Sequence, residues 1–530
     1  MEPSRSISIR WVRALKALSL VCLSAVLFVL GQPNLLLKDG LFFLSFISLV
    51  PVFCAVESSP VRRVFFLGFV FGLLSYASLC FWISRYAHSL FFTAVIAYSL
   101  LYGLCFLSMK LLALCYPAFS FCIMALVFCS FEYLRSLGPL GFSYGIMGYS
   151  QWKFSPLLLA APVGGVWMSS AFCAFFSAAS ARGLVAYREN KLGKAAVPFL
   201  VLFLVSGFFV LGGWHVSQFD GECKDVTVVL VQNGADSSKY TDGVYKRDIS
   251  TLVSLTEEAL SIYQDADFVV WPETAVVPPL QYHYGARTDV DRFNAVSSVL
   301  GLVSRSSACY IIGNHAVDGD GEDCNAALVF DHEKAPVLPP QPEIYVKQHL
   351  VPFTESLPFY PSLKGLYDKA VVDRSFMWKA GDAASVFTGR GISFSVPICF
   401  EDTFGNLCSQ FVKEGACCLF NICNDSWAAS PVCQRQHLAM SVFRAAENGV
   451  PVLRSTASGV TCVIDGKGKL VEELDEFCSG FLGRRVSVPI AKRPSPYTVY
   501  GDWFAILEIC VFSFLSAAAL IKKLLQKQGL

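Results

Sequence analysis

A series of apolar stretches constrains the fold of this 530-residue chain more than any other feature. A helix needs about 20 predominantly apolar residues to cross a bilayer, because the hydrocarbon core holds no water to pair with backbone groups. About eight stretches meet or approach this length, and they lie near Leu18–Leu30, Leu41–Val56, Val64–Ile83, Leu90–Met109, Leu111–Phe131, Leu157–Ala181, Val197–Trp214 and Trp503–Ile521. The second stretch is short, so a re-entrant segment is the alternative to a full span there.

The composition indicates that one part of the chain lies in lipid and another part lies in water. It is 54% hydrophobic and only 16% charged, whereas soluble chains are about a quarter charged. Acidic residues are scarce before residue 214 and common after residue 220. We predict a transmembrane domain of about seven helices over residues 1–214, a soluble domain over residues 220–499 and a C-terminal transmembrane helix over residues 503–521. Neither part carries the basic field that a nucleic-acid partner requires.

Basic residues in the short loops predict how the chain is oriented, since Lys and Arg accumulate in cytoplasmic loops. With a cytoplasmic N-terminus, the inner loops hold Arg62, Arg63, Lys110, Arg182, Arg188, Lys191, Lys194, Lys522, Lys523 and Lys527. The outer loops hold only Lys38, Arg85, Arg135 and Lys153. This asymmetry predicts that both termini are cytoplasmic and that the soluble domain lies on the outer side of the membrane.

The cysteines do not form a metal-binding pattern. Of the 20 cysteines, nine lie in apolar stretches, where a thiol behaves as a small hydrophobe. The others include no CxxC pair, and the chain has only 7 histidines. We therefore predict no structural metal and no metal cofactor.

Short β-rich runs alternate with amphipathic stretches in the soluble part, which predicts a layered α/β domain. The runs are Val226–Val231, Phe268–Trp271, Cys309–Gly313, Ala326–Phe330, Ile344–Lys347, Ile392–Ile398, Cys418–Cys423 and Val452–Ser455. In such domains the active site commonly lies at the ends of the strands.

Three reactive side chains, Glu273, Lys347 and Cys399, stand at or just after the ends of three of these runs. A thiol nucleophile needs a base to become a thiolate and a cation to stabilise the oxyanion that its attack produces. Taken singly, an inert buried thiol, a surface carboxylate and a solvated ammonium are the ordinary explanations. The occurrence of all three in order, with flanking prolines, favours a catalytic triad.

These three segments resemble the Glu-Lys-Cys motifs of the nitrilase (carbon–nitrogen hydrolase) superfamily, and with the membrane layout the whole chain resembles the apolipoprotein N-acyltransferase family. The similarity extends to Asn424-Asp425-Ser426-Trp427, Gln436-His437-Leu438, Arg444-Ala445-Ala446-Glu447, Leu453-Arg454-Ser455-Thr456, Gly459-Val460-Thr461, Glu132-Tyr133-Leu134-Arg135 and Gly148-Tyr149-Ser150-Gln151. It implies a polytopic α-helical membrane domain with an αββα nitrilase-like sandwich inserted before the last span.

The resemblance also implies the roles of the triad. Glu273 would be the general base that takes the proton of Cys399. Cys399 would be the nucleophile that carries the acyl group. Lys347 would stabilise the oxyanion together with a backbone amide near Phe400.

Four further residues take supporting roles by the same resemblance. Glu355 would orient the lysine or relay protons, and Glu401 would buttress the site. Phe400 and Trp427 would contact the substrate, with an interfacial anchor as the alternative for Trp427. The family usually has tyrosine where this chain has Phe400 and glycine where it has Thr354.

The implied reaction moves an acyl chain from a phospholipid, through a cysteine thioester, to the α-amine of a diacylglyceryl-modified lipoprotein. It needs no cofactor and implies a monomer in the bacterial cytoplasmic (inner) membrane, with its catalytic domain on the periplasmic side. Two alternatives stay open from the sequence. One is a membrane-tethered amidase of the nitrilase type, and the other is a transporter or sensor with an inactive nitrilase-like domain.

Overall fold

The computed structural model describes residues 3–189, 192–218, 221–235, 242–370, 377–491 and 493–528. The chain divides into a helical unit of residues 1–137, 142–216 and 502–530 and a sandwich unit of residues 138–141 and 217–501. Asp220, at the start of the predicted soluble domain, and Lys191, in a predicted inner loop, lie outside the described residues.

The helical unit consists of long apolar helices joined by short helical turns. Its helices are Pro3–Gly31, Phe42–Ser45, Val50–Ser58, Val61–Leu79, Ile83–Tyr86, His88–Cys115, Ser120–Leu134, Ser155–Leu158, Ala161–Arg188, Leu192–Ser217 and Trp503–Gln528, with 3-10 turns at Pro117–Phe119 and Met147–Gln151. Among the described residues, seven helices are long and apolar enough to cross a membrane. They coincide with seven of the predicted stretches.

The remaining stretch, Leu41–Val56, is broken into two short helices. The break at residues 46–49 is stabilised by the helix beside it, because the Ser24 hydroxyl donates to the carbonyl of Ser48. Before the break, the Asp39 carboxylate pairs with Lys153, and after it the Glu57 carbonyl accepts from Lys110 Nζ at 2.6 Å. The stretch therefore connects the two sets of loops that the charge distribution assigns to opposite sides of the membrane.

Glycines allow the helices Val61–Leu79 and His88–Cys115 to pack closely. A Cβ on Gly68 would lie 2.3 Å from the Tyr102 carbonyl oxygen, and one on Gly72 would lie 2.7 Å from the Ser99 Cα. The spacing of these glycines, four residues apart, matches the small-residue pattern by which helices approach within a bilayer, where van der Waals contact replaces the hydrophobic effect.

The described part of the sandwich unit contains two six-stranded sheets. Its strands are β1 Cys223–Asn233, β2 Phe268–Val270, β3 Cys309–Val317, β4 Asp323–Phe330, β5 Glu343–Val346, β6 Phe387–Gly389, β7 Ile392–Ser395, β8 Cys418–Cys423, β9 Val452–Thr456, β10 Cys462–Ile464, β11 Leu470–Glu473 and β12 Ser479–Pro489. The strand order is β12-β1-β2-β3-β4-β5 in one sheet and β11-β10-β9-β8-β7-β6 in the other. Every predicted run is a strand, whereas β6, β10, β11 and β12 were not predicted.

The two sheets pack face to face. The ring of Phe268 on β2 lies 5.4 Å from that of Phe394 on β7 and 5.0 Å from that of Phe420 on β8. The Ser455 hydroxyl on β9 donates to main-chain carbonyls of β1 and β2, at 2.8 and 3.0 Å. These contacts fix the ends of β2, β7 and β8 relative to one another.

Helices cover the outer faces of both sheets. The helices of this unit are Asp242–Ile262, Leu280–Ala286, Val290–Arg305, Tyr360–Ala370, Gly405–Lys413, Pro431–Asn448 and Pro496–Tyr500, with 3-10 turns at Cys399–Thr403 and Ser426–Ala428. Leu252 and Val299, on two of these helices, pack with Val229 and Tyr310 of the first sheet in one buried core. The layers are therefore those of the predicted αββα sandwich.

Candidate active site

Glu273, Lys347 and Cys399 follow the ends of three different strands of the sandwich unit. Glu273 stands three residues after β2, Lys347 directly follows β5, and Cys399 stands four residues after β7. The loop of Glu273 lies tightly against β3, where a Cβ on Gly313 would be only 2.7 Å from the Glu273 Cα. Only glycine allows that approach, so Gly313 helps to determine where the carboxylate lies.

Lys347 lies at the centre of a buried ion cluster. Its Nζ donates to Glu273 Oε1 at 3.0 Å and to Glu355 Oε1 at 2.9 Å. The Asn325 amide donates to the same two oxygens at 2.7 and 3.1 Å. Burial alone lowers the pKa of Lys347, but Glu273, Glu355 and Cys399 together raise it well above its usual value. The side chain is therefore held as an ammonium ion.

Cys399 is the first residue of a 3-10 turn and has a φ of +50°. Such a left-handed conformation is unfavourable for a residue other than glycine and is often found at functional sites. The Cys399 Sγ, a Glu273 carboxylate oxygen and the Cys423 Sγ lie within 4.8 Å of one another. Cys399 as a residue is 6% exposed. A carboxylate, an ammonium and a thiol thus converge at one point.

Glu401 connects the loop of Cys399 to the strand that carries Lys347. One carboxylate oxygen accepts from the Ile398 amide at 2.7 Å. The other accepts from the Gln348 amide at 2.7 Å, the His349 amide at 3.2 Å and the Tyr345 hydroxyl at 2.8 Å. Four donated bonds to one buried side chain maintain the relative position of the two loops.

Glu401 also makes stability depend on pH. Burial raises its pKa from about 4.5 to about 7, although the hydrogen bonds that it accepts oppose the shift. Because the folded chain holds this proton more tightly than the unfolded chain, the contribution to stability is complete below about pH 4.5 and is lost as the pH rises through about 7.

We expect Glu401→Gln to remove this pH dependence. Between about pH 4.5 and 8 the wild type should lose about 3 kcal/mol of stability relative to the variant. The apparent melting temperature of both proteins in detergent, measured across that range, tests this. Glu333→Gln, at an exposed carboxylate, is the control and should follow the wild type. Parallel curves for the wild type and Glu401→Gln would contradict the assignment.

A second buried ion cluster is formed by residues that follow Cys399 along the chain. His437 Nε2 lies 2.6 Å from Asp402 Oδ1, and His437 Nδ1 lies 2.9 Å from Asp425 Oδ2. Arg454 donates to Asp402 and lies 3.8 Å from Asp425. Burial lowers the pKa of His437, but Asp402 and Asp425 raise it well above its usual value. Two cations therefore balance two carboxylates, as buried charges require.

This second cluster borders the Cys399 sulfur. Cys423 Sγ lies 3.3 Å from Cys399 Sγ and 3.8 Å from His437 Nδ1. Asp425 Oδ1 lies 4.0 Å from Cys399 Sγ. The sulfur of Cys399 therefore has charged groups of both clusters nearby.

The remaining predicted residues lie beside these groups in the chain. Phe400 is buried and packs edge-on against Phe404, with ring centroids 5.0 Å apart. Trp427 is half-buried in the 3-10 turn that follows Asp425. Sequence reasoning missed Asn325, and the signal that would have found it is a polar side chain directly before the apolar run Ala326–Phe330 of β4.

Among the residues that the structure describes, two groups of side chains have a spacing that suits a metal ion. They are Glu273, Cys399 and Cys423, and Cys423, Asp425 and His437. Each group already contains or contacts a buried cation: the Lys347 ammonium on Glu273, and the His437 imidazolium on Asp425. These charges account for the carboxylates without a metal, so no step of the chemistry below is assigned to one.

Comparisons with known proteins cover both units. Residues 24–179 match the model of the apolipoprotein N-acyltransferase N-terminal domain, and residues 231–488 match that of carbon-nitrogen hydrolase. "Apolipoprotein N-acyltransferase 1" of Treponema denticola is 33% identical over 96% of this chain and 97% of its own length. The protein of the same name from Treponema pallidum (strain Nichols) is 36% identical over 97% and 98%. The crystal structure of Saccharomyces cerevisiae Nit3 aligns at 17% identity and a TM-score of 0.36, covering 49% of this chain and 90% of that one.

Proposed function

Because this chain belongs to the apolipoprotein N-acyltransferase family, we propose that it moves an acyl chain from a phospholipid to a lipoprotein. The acyl group is carried as a thioester on Cys399. The acceptor is the α-amine of the N-terminal cysteine that already bears a diacylglyceryl group. Glu273, Lys347 and Cys399 form the catalytic triad.

One observation carries this proposal: a carboxylate, a buried ammonium and a thiol converge in the sandwich unit. Lys347 Nζ lies 3.0 Å from Glu273 Oε1, and the Cys399 Sγ lies within 4.8 Å of the Glu273 carboxylate. Catalytic hydrogen bonds are often long without substrate and shorten in the reactive complex. The distances therefore suit proton transfer from the thiol to Glu273.

In the first half-reaction, Glu273 takes the proton of the Cys399 thiol and the thiolate attacks the ester carbonyl of the phospholipid. A carbon–sulfur bond forms while the carbonyl oxygen becomes an oxyanion. The Lys347 ammonium stabilises that charge, together with the backbone amide of Phe400. When the ester bond breaks, the lysophospholipid leaves with the proton held by Glu273, and the acyl group stays on sulfur.

In the second half-reaction, the lipoprotein amine attacks the thioester. Glu273 accepts a proton from the amine, Lys347 stabilises the second oxyanion, and the thiolate leaves. The product is an amide, and Cys399 recovers its proton from Glu273. Asn325 donates to both Glu273 and Glu355, and Glu355 accepts from Lys347, so Asn325 and Glu355 act as positioning residues in both steps.

The membrane helices supply a reason for acyl transfer rather than hydrolysis of a small amide. Both proposed substrates are held in a bilayer by their own acyl chains, so an enzyme fixed beside the bilayer meets them at high local concentration. The excess of Lys and Arg in the predicted inner loops supports a periplasmic position for the sandwich unit. In that position, the enzyme reaches the outer leaflet of the cytoplasmic membrane.

The segment that carries Glu355 has exposed apolar side chains that suit contact with lipid. Phe353 and Phe359 are 39% and 49% exposed, and both have a positive φ, at 63° and 57°. Leu363 is 40% exposed in the helix that follows. Apolar rings held outward in an unfavourable backbone conformation suit insertion into the interfacial region of a membrane.

Two other functions account for less of the structure. A membrane-tethered amidase requires the same triad but no polytopic helical unit. A transporter or sensor with an inactive domain requires the helices but does not account for Lys347 held between Glu273 and Glu355 next to a thiol.

Mass spectrometry of the intact protein tests the proposal. After incubation with phospholipid alone, we expect an acyl adduct on Cys399 that hydroxylamine removes. Subsequent addition of a diacylated lipopeptide with a free α-amine should remove the adduct and yield the N-acyl lipopeptide.

Two results of this experiment would count against the proposal. An absence of any adduct on the wild type would favour the inactive-domain alternative. Free fatty acid released as fast as the lipopeptide is acylated would show a hydrolase, because a transferase must protect its thioester from water. Cys399→Ser should accumulate no hydroxylamine-labile thioester and serves as the matched control.

A further inference from the structure

Two sulfur atoms meet at the nucleophile. Cys399 Sγ and Cys423 Sγ are 3.3 Å apart. The residues just before them, Ile398 and Ile422, pair as a parallel bridge, so the two cysteines follow paired positions on neighbouring segments of the chain. Adjacent strands lie about 4.8 Å apart, which falls within the Cα separations that disulfides span. The sulfurs would have to approach by about 1.2 Å to reach a bond length near 2.05 Å.

We infer that Cys423 is a resolving thiol that forms a reversible disulfide with Cys399 when a peroxide oxidises the enzyme. The proposed reaction does not use Cys423, although its sulfur lies 3.3 Å from the Cys399 sulfur, closer than Asp425 Oδ1 at 4.0 Å. The loss of activity that accompanies the disulfide rests on the proposed function of Cys399. The formation of the disulfide does not.

Exposure determines the order of events. Cys399 is 6% exposed and Cys423 is fully buried, so a small peroxide meets Cys399 first. Burial and the contact with Cys399 raise the pKa of Cys423 well above its usual value. Cys423 therefore stays protonated near neutral pH and reacts only after its neighbour has been oxidised.

The chemistry balances with hydrogen peroxide as the oxidant. The Cys399 thiolate attacks one peroxide oxygen and the oxygen–oxygen bond breaks, which forms a sulfenic acid on Cys399 and releases hydroxide. That hydroxide becomes water by taking the proton that the Cys399 thiol had given up. The Cys423 sulfur then attacks the sulfenic sulfur, the sulfur–oxygen bond breaks, and the departing hydroxide takes the Cys423 proton. Two thiols are oxidised to one disulfide, and one peroxide is reduced to two waters. A dithiol reverses the process by thiol–disulfide exchange.

The test uses the full-length protein in detergent, treated with hydrogen peroxide and then alkylated with N-ethylmaleimide. In the wild type we expect a peptide linked through Cys399 and Cys423, an intact mass lower by two hydrogens, and loss of acyl transfer that dithiothreitol restores. Cys423→Ser should progress to a sulfinic acid on Cys399, so the activity recovered with dithiothreitol, relative to its own untreated level, should be about tenfold lower.

Cys418→Ser is the matched control. Cys418 is a buried cysteine on the same strand, five residues from Cys423 and therefore directed to the opposite face of the sheet. It should behave as the wild type. A sulfinic acid on wild-type Cys399 without a linked peptide, or a link to another cysteine, would overturn the inference. A linked peptide in a protein that transfers no acyl group before treatment would refute the proposed function and leave the disulfide standing.

Discussion

Cys399→Ala is expected to abolish acyl transfer, by at least about 10⁴-fold, because a covalent route has no substitute for its nucleophile. The variant should also take up no acyl group from labelled phospholipid. Its thermal stability should change little, since a small, nearly buried thiol is replaced by a slightly smaller apolar group, and the unfavourable φ of +50° stays with the backbone. The measurements are the rate of lipopeptide acylation and the covalent label on the purified protein.

Cys418→Ala is the matched control for the nucleophile. It removes a buried thiol of the same domain, from a position on β8 outside the clusters around Cys399. We expect it to retain acyl transfer and covalent labelling. Residual transfer above about 1% of the wild-type rate in Cys399→Ala would refute the thioester mechanism, because loss of a true nucleophile costs far more than this.

Lys347→Met is expected to lower both stability and activity. The ammonium is fully buried between Glu273 and Glu355, so its removal leaves two carboxylates without a compensating charge. Breaking such a buried pair costs about 3–5 kcal/mol. Without the ammonium that stabilises the oxyanion, the rate of acyl transfer should fall by about 10²–10³-fold. Thermal unfolding and transfer kinetics of the detergent-purified variant measure the two effects.

Lys379→Met separates this effect from the loss of any ion pair. Lys379 pairs with Asp318 and Asp320 at the surface, where its side chain is 45% exposed. Water screens such a pair, so we expect little change in stability and none in acyl transfer. Equal losses in both variants would contradict a special role for the buried ammonium.

The membrane helices were predictable because their cause is local. A run of apolar residues forms a helix in lipid wherever it occurs, and seven of the predicted stretches are long helices. The stretch Leu41–Val56 differs because it is divided into two short helices, and the Ser24 hydroxyl of another helix contacts the Ser48 carbonyl in the break. Pro51, at the start of the second helix, is a local signal for that start, whereas the contact with Ser24 could not be predicted from the stretch itself.

The sandwich strands and their catalytic candidates were predictable in part. Buried runs such as β2 and β8 are short and apolar, and Glu273, Lys347 and Cys399 were found as polar side chains at or just after run ends, in segments with a family resemblance. Strand β12 was missed because its exposure alternates irregularly and it contains two glycines and two arginines. It forms a strand because β1 pairs with it along its whole length.

The sequence by itself determined where the long apolar helices lie, where eight of the described strands lie, and which three residues were candidates for catalysis. Only the tertiary structure decided that Asn325 donates hydrogen bonds to both Glu273 and Glu355. The same holds for Glu401, which links the loop of Cys399 to the segment after β5, and for the contact between Cys423 and Cys399. The physical reason is that composition and periodicity act within a segment. A contact between side chains far apart in the chain depends on strand register and sheet packing, which exist only once the whole domain has folded.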